Sequence, residues 1–339
     1  MNCPLITKFA SFQDVMKIGS TDLGEFPVIL APMEDITDPP FRLICREMGA
    51  SAVITEFIAA DGLIRDVGQS LRKLEFTETE RPLGIQLFGS SVTSMVNAAM
   101  VAEQANPDFI DINFGCPVRK IVNKGGGAAL LQDIPMLLKI TKEIVKSVSK
   151  PVTVKTRLGW DEGSKIIVDL AEQLQDLGIA ALTIHGRTRA QMYSGTADWT
   201  LIREVKGNPR MHIPIIGNGD ITDIDSAIKA RNDYGVDGIM IGRATVGNPW
   251  IFKEISHFFK TGEKIAPPTL QDRVDICRRH LLDSIKWKGE NTAILEIRRH
   301  YPHYFKGLPD FKPYRMKLMM ATLKEEVLFL LQEIQAKYS

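Results

Sequence analysis

The 339-residue sequence has only four cysteines, and no two of them form a CxxC pair. Scattered as Cys3, Cys45, Cys116 and Cys277, they exclude a disulfide framework or a cysteine-based zinc site and fit a reducing cytosol. No apolar run approaches the ~20 residues that a bilayer-crossing helix needs. The N-terminal stretch MNCPLITKFASFQD lacks the cationic start and continuous apolar segment of a signal peptide. A soluble, cytoplasmic chain with no membrane partner and no metal is expected, working as a monomer. Also missing is any GxGxxG or GxxxxGK[ST] after the first strand, which argues against a dinucleotide-binding or P-loop sheet. Net charge is nearly absent at +1, but it is unevenly spread. Residues 1–249 carry 26 Lys+Arg against 30 Asp+Glu, and residues 250–339 carry 16 against 11. A basic C-terminal part on a mildly acidic body points towards a polyanionic partner.

Apolar residues at 44% and charged residues at 24% are ordinary globular values, enough for a sizeable core. Over the first 250 residues, short β-branched runs alternate with helical stretches. The strand candidates are Val28–Met33, Ala52–Phe57, Leu83–Phe88, Phe109–Phe114, Val152–Arg157, Ala181–His185, Pro214–Gly217 and Gly238–Ile241. Helical candidates between them include Val92–Ala105, Ile134–Val148, Lys165–Leu177 and Asp223–Tyr234. Eight such units predict a TIM (β/α)8 barrel, with a doubly wound open sheet as the alternative. A hairpin within Met16–Ile29, turning near Gly24-Glu25, would close the barrel floor. The segment Lys260–Pro268 reads as a linker. Leu270–Trp287, Thr292–Tyr304 and Tyr314–Lys337 then predict a small C-terminal helical domain, giving domains 1–259 and 260–339.

Nearly every strand ends in polar or reactive residues, and barrel active sites form at that rim. Cys116 follows a strand in a Gly-Cys-Pro turn. An exposed thiol near its free pKa of ~8.5 is mostly protonated at neutral pH and can donate a proton. The other three cysteines read as small buried apolar residues. Lys155 and Arg157 share one face of a strand. Two inward cations require either pairing with Glu34, Glu56 or Asp111, or a bound anion; an aldolase-type lysine is a further reading. His185 and Arg187 end the sixth strand. Asn218, Gly219, Asp220, Gly242 and Arg243 end the last two, where barrels commonly bind phosphate. The triple glycine after Asn123-Lys124 reads as a flexible lid over the thiol, or as a linker. Between Arg298 and Lys317, cations alternate with aromatics and Asp310 is the only acid. That mixture suits phosphates and unstacked bases.

APMEDITD at Ala31–Asp38, Gln86, DINFGCP at Asp111–Pro117 and KTRLGW at Lys155–Trp160 together resemble the tRNA-dihydrouridine synthases. HGRTR at His185–Arg189, NGDI at Asn218–Ile221 and GRATVGNPWIF at Gly242–Phe252 continue the likeness in order, closest to the bacterial B-type branch. The resemblance implies FMN in the barrel, NADPH or NADH as reductant, and a helical domain that helps to bind tRNA. Cys116 would protonate C5 of a uridine that receives hydride at C6. Pro32, Met33, Glu34, Gln86, Lys155, His185, Asn218, Gly219, Asp220, Gly242 and Arg243 would hold the cofactor. Asn113, Arg157, Arg187, Arg298, Arg299 and Lys317 would meet the RNA. The sequence departs from the family pattern at Glu34-Asp35, where relatives carry a small residue and glycine. The rival of the same fold is a small-molecule, dihydroorotate-type FMN dehydrogenase; an RNA-folding protein without catalysis is the non-enzymatic rival.

Overall fold

The computed structural model describes residues 15–65 and 67–338. The expectation for Cys3, and the reading of the N-terminal stretch, lie outside the described residues. The chain enters through an antiparallel hairpin, β1 (Met16–Ile18) and β2 (Thr21–Gly24). Its turn falls at Gly19-Ser20 and not near Gly24-Glu25, because Gly19 takes the positive φ of 59° that the reversal needs.

Nine parallel strands follow: β3 (Val28–Leu30), β4 (Val53–Ile54), β5 (Ile58–Ala59), β6 (Leu83–Phe88), β7 (Phe109–Asn113), β8 (Val152–Arg157), β9 (Ala181–His185), β10 (Ile215–Asn218) and β11 (Gly238–Ile241). Their order is β3-β11-β10-β9-β8-β7-β6-β4, with β5 also on β6. A parallel bridge between Ile29 and Ala52, with Leu30 N–H donating to Ala52 O at 3.0 Å, closes β4 back onto β3. The result is the expected barrel. Of the strand expected at Ala52–Phe57 only β4 forms, and β5 begins just beyond it, since the chain leaves the ladder between them. Thr55 still bonds to β6, giving its N–H to Gly84 O and accepting from Gln86 N–H through Oγ1. The next side chain, Glu56, is drawn to the β3 loop instead.

The strands are buried on both faces, as parallel strands under helices must be, so they read as continuous apolar runs rather than alternating ones. The outer layer comprises α1 (Pro39–Glu47), α2 (Ala60–Leu63), α3 (Gly68–Arg72), α4 (Val92–Gln104), α5 (Arg119–Val122), α6 (Ile134–Ser147), α7 (Ile167–Asp176), α8 (Thr200–Gly207), α9 (Ile224–Asn232) and α10 (Ile251–Thr261). Their starts are written locally: Asp38, Asp133 and Asp223 cap α1, α6 and α9 with side-chain acceptors. Inside the barrel, Ile29, Ile54, Phe109, Ile216 and Met240 pack with Met16, Ile18 and Leu23 of the hairpin, which plugs the floor.

α10 runs through Lys260 and stops at Gly262 in the left-handed region, so the linker is shorter than expected. Beyond it lie α11 (Leu270–Lys288), α12 (Glu290–Ile297), α13 (Tyr301–Tyr304), α14 (Lys312–Met320) and α15 (Lys324–Tyr338). Two of the expected long helices are each broken in two, at Arg298–His300 ahead of Pro302 and at Ala321, whose ψ of 137° is extended. These helices share a separate core of Val274, Cys277, Leu281, Ile297, Tyr301, Tyr304 and Leu331. Cys45 and Cys277 are both fully buried. Among the described residues, no helix is long and apolar enough to cross a membrane.

Candidate active site

At the C-terminal ends of the strands lies a cavity of about 380 Å³, in the range of small-molecule sites. One wall comes from β3 and β11: Pro32, Met33 and Glu34 face Gly242, Arg243 and Ala244. The other walls bring in Asn113 and Cys116 after β7, Lys155 and Arg157 from β8, His185 from β9 and Asn218, Gly219 and Asp220 after β10. Thirteen of the residues expected at the site therefore line one space.

Cys116 is held by a chain of hydrogen bonds rooted deep in the barrel. Asp111 accepts from Thr153 Oγ1 (2.5 Å) and from Gln86 Nε2 (2.6 Å). Gln86 Oε1 accepts from Asn113 Nδ2 (2.7 Å), and Asn113 Oδ1 accepts the N–H groups of Gly115 (2.9 Å) and Cys116 (2.8 Å). The carboxylate thus fixes which way two successive amides face, and the last one fixes the cysteine turn. Gln86 lies behind the cavity, not on it, and it orients Asn113.

The triple glycine supports the same turn from the other side. Ala128 N–H donates to Cys116 O (3.1 Å), and Gly127, at φ 57°, sits so close that a Cβ would meet Cys116 O at 2.9 Å. It is a close-packed seat, not a free lid, and glycine is required by the contact. Cys116 is only 7% exposed, against the exposed thiol expected from its loop. Burial raises its pKa, opposed by the Val118 backbone N–H and by the charges of Arg157 and Lys155. The thiol is therefore protonated at neutral pH, while two cations stand ready to stabilise the thiolate it leaves.

Among the described residues, neither of those cations forms an ion pair with a carboxylate. Lys155 Nζ reaches only Asn218 Oδ1, at 3.3 Å, and burial together with Arg157 lowers its pKa to about 8. Arg157 donates to the carbonyl oxygens of Gly115 (2.7 Å), Thr188 (2.9 Å) and Met192 (2.8 Å), tying the β7, β8 and β9 loops together. Its pKa falls to about 10, chiefly by burial. Neither cation forms a direct ion pair with Glu34, Glu56 or Asp111, although the Asp111 charge supports the Lys155 ammonium from a distance. Cations held partly or wholly out of water without a direct counter-charge are costly, and an anion in the cavity would relieve both.

His185 is neutral: burial first, then Arg157 and Lys155, hold its pKa well below the ordinary value. Arg187 can only donate, so its 3.3 Å contact makes His185 Nε2 the acceptor. Arg187 itself is buried away from the cavity, bonded to Ser194 O, Gly195 O and Asp220 Oδ2. Asp220 also takes Arg243 (2.8 Å) and the Ala197 N–H (2.7 Å), which fixes the β9, β10 and β11 loops to one another.

Tyr193 stands at the mouth, 51% exposed, with the Arg157 and Arg243 guanidinium groups 5.6 and 5.4 Å from its ring centre. Its one signal in the sequence is an aromatic shortly after HGRTR.

The expected RNA-contact segment is differently placed. Tyr301, Tyr304, Phe305 and His300 are buried. Arg298 donates to Ala321 O (2.8 Å), and Arg299 to Asp35 O (2.9 Å) and Oδ2 (3.1 Å). Lys317 is exposed, 3.7 Å from Glu333. None of the three lines the cavity. At the cavity edge the carboxylates of Glu34, Asp35 and Glu56 converge within 4.8 Å. Lys73 answers Glu34 (2.5 Å), Arg299 answers Asp35, and the Asp35 N–H answers Glu56 (2.5 Å), whose pKa burial raises to about 7.

A closed parallel barrel with its reactive residues and cations gathered at the C-terminal rim has the architecture of a (β/α)8-barrel enzyme. Morphinone reductase in complex with tetrahydroNAD shares this fold, with a TM-score of 0.54 at 14% identity over 78% of this chain and 94% of that one. Histamine dehydrogenase from Rhizobium sp. 4-9 does too, with a TM-score of 0.56 at 14% identity over 80% of this chain and 50% of that one. At such identity the likeness concerns the fold alone. Sequence relatives are nearer. A probable tRNA-dihydrouridine synthase of Rickettsia conorii is 38% identical over 302 residues, 89% of this chain and 90% of that protein. A tRNA-dihydrouridine synthase B of Pseudomonas putida is 38% identical over 291 residues, 86% of each. The family model described as Dihydrouridine synthase (Dus) matches residues 29–339, and the chain belongs to that family.

Proposed function

We propose that this protein reduces uridines in tRNA to 5,6-dihydrouridine, with FMN held in the barrel cavity and Cys116 as the proton donor. The observation that carries the proposal is a burial-protonated thiol sharing one cavity with half-buried Lys155 and buried Arg157, neither of which has an ion-pair partner among the described residues. Lys155 suits the electron-rich edge of a flavin ring, whose negative charge on reduction would hold the ammonium in its charged form. Asn218, Gly219 and Asp220 with Gly242 and Arg243 would hold the ribityl phosphate, and Pro32, Met33, Glu34 and neutral His185 would border the ring. Bound FMN, reduced by NADPH or NADH, would supply the hydride taken up at C6.

Cys116 delivers its proton to C5, so the C5–C6 double bond gains one hydride and one proton. The thiolate left behind is stabilised by Arg157 and Lys155 until solvent reprotonates it. Asn113, fixed through Gln86 and Asp111, keeps the thiol aimed while offering its remaining amide hydrogen to the base. A uridine can reach this depth only out of its stack, at a cost of a few kcal/mol that a strained RNA loop reduces.

Exposed cations beside the cysteine support RNA as the substrate. Arg119 and Lys120 of α5, with Lys124, are exposed, and their side chains make no ion pair among the described residues. They are placed to take phosphates on either side of an everted nucleotide. Residues 260–339 would add the outlying tRNA contacts, with Lys317 one of them, while residues 1–259 carry the chemistry.

Incubating the protein with FMN, NADPH and an unmodified tRNA transcript, followed by nucleoside analysis, tests the proposal. Dihydrouridine should appear at defined positions. Reduction of a free pyrimidine with none in RNA would favour the dihydroorotate-type rival.

A further inference from the structure

We infer that the helical part braces the cofactor wall of the barrel, through His300 beneath the turn after β11 and Arg299 on the turn after β3. The inference rests on the reading of the cavity as an FMN site, and it gives Arg299 and His300 a positioning role in place of RNA contact.

β11 is followed by a tight turn in which Thr245 gives both its N–H and its hydroxyl to Gly242 O, at 2.9 and 2.8 Å. The near end of this turn, Gly242 to Ala244, lines the cavity; its far end is Gly247, at φ 59°. There the backbone presses onto the helical part so closely that a Cβ would lie 2.5 Å from His300 O and 2.7 Å from Tyr304 N. The Gly247 N–H is buried in this contact, and His300 Nδ1 is the acceptor that satisfies it, at 3.1 Å. An amide hydrogen left unmatched there would carry its full desolvation penalty.

His300 is 2% exposed and has little freedom to move away. Its ring lies 4.8 Å from Phe41 of α1 and 4.6 Å from His280 of α11, and His280 is fixed in turn by the Tyr304 hydroxyl at 3.1 Å.

The adjoining residue does the same for the neighbouring strand. Asp35 sits at φ 56°, where an L side chain is strained, and Arg299 grips both its carbonyl and its carboxylate. The residue before it, Glu34, lines the cavity. β3 and β11 are hydrogen-bonded neighbours, so two consecutive helical-part residues hold the two loops that form one continuous wall. Excision of residues 265–339 would therefore disturb flavin binding as well as RNA binding.

The test is FMN affinity, read by quenching of flavin fluorescence and by the visible spectrum of the bound flavin, on full-length protein freed of cofactor. His300→Leu removes the acceptor and should weaken FMN about tenfold or more, while His300→Asn keeps an acceptor near the Nδ1 position and should stay within about threefold of wild type. Arg299→Gln, at a half-exposed site, should cost about threefold. tRNA affinity of the FMN-saturated variants should not change. Folded His300→Leu with wild-type FMN affinity would overturn the brace. If that variant does not fold, Arg299→Gln decides, and unchanged affinity again overturns it. Wild-type protein that takes up no FMN would overturn the FMN reading and the brace with it, whereas wild-type uptake with unaffected variants overturns the brace alone.

Discussion

Two stretches of this chain are rich in cations, and folding uses them differently. On β8, half-buried Lys155 and buried Arg157 face a cavity whose carboxylates, Glu34 and Asp220, are taken by other cations. Between Arg298 and Lys317 the first two cations turn back onto the protein while Lys306, Lys312, Arg315 and Lys317 stay exposed, and the aromatics among them become part of the core of the helical part. The difference lies in the secondary structure beneath. Alternation along a strand directs residues two apart to one side, so a strand-end cation pair points into the rim. A helical segment can place the same composition on any face, and burying Tyr301, Tyr304 and Phe305 put Arg298 and Arg299 on protein acceptors and left the later cations at the surface. Charge count alone did not distinguish an RNA face from a domain seam.

The comparison sharpens into measurements of decreasing effect. Reversing Arg119, Lys120 and Lys124 together to Glu should weaken tRNA binding about a hundredfold at low salt and flatten its salt dependence. Filter binding across a salt series checks this, and an unchanged slope would remove α5 from the RNA path.

Lys155→Gln should weaken FMN about tenfold at neutral pH and alter the pH profile. With its pKa lowered to about 8, Lys155 is charged below that pH in the free protein and neutral above it. An anionic ligand raises that pKa, so wild-type affinity should fall as pH rises beyond 8, by at most about tenfold per pH unit. The Gln variant should be flat over that range, and a parallel decline in both would place the titration elsewhere.

Lys317→Glu should change tRNA affinity by only about twofold, as a single exposed charge already near Glu333. A loss as large as that of the α5 triple would restore the tail as the main RNA face.

The barrel was legible because parallel strands announce themselves as short apolar runs with reactive residues at one end. Cys116, Lys155 and the last two loops could be placed from that alone. What stayed hidden depended on contacts distant in sequence. Gln86 looked like a lining residue, and only its bonds to Asp111 and Asn113 reveal a residue that orients the cysteine turn. Gly127 looked flexible because nothing local says that Cys116 O lies against it. The departure at Glu34-Asp35 was visible in the sequence, but its meaning required Arg299, more than 260 residues away. Tyr193 carried no pattern at all; two arginines from other loops give it a place at the mouth.

The central claim is that a protonated cysteine faces the bound pyrimidine across from FMN, and the most direct measurement is reoxidation of the NADPH-reduced enzyme by unmodified tRNA in Cys116→Ala. The variant should keep its FMN and its tRNA affinity yet form dihydrouridine at least about a hundredfold more slowly than wild type. Dihydrouridine formation at the wild-type rate would contradict the account.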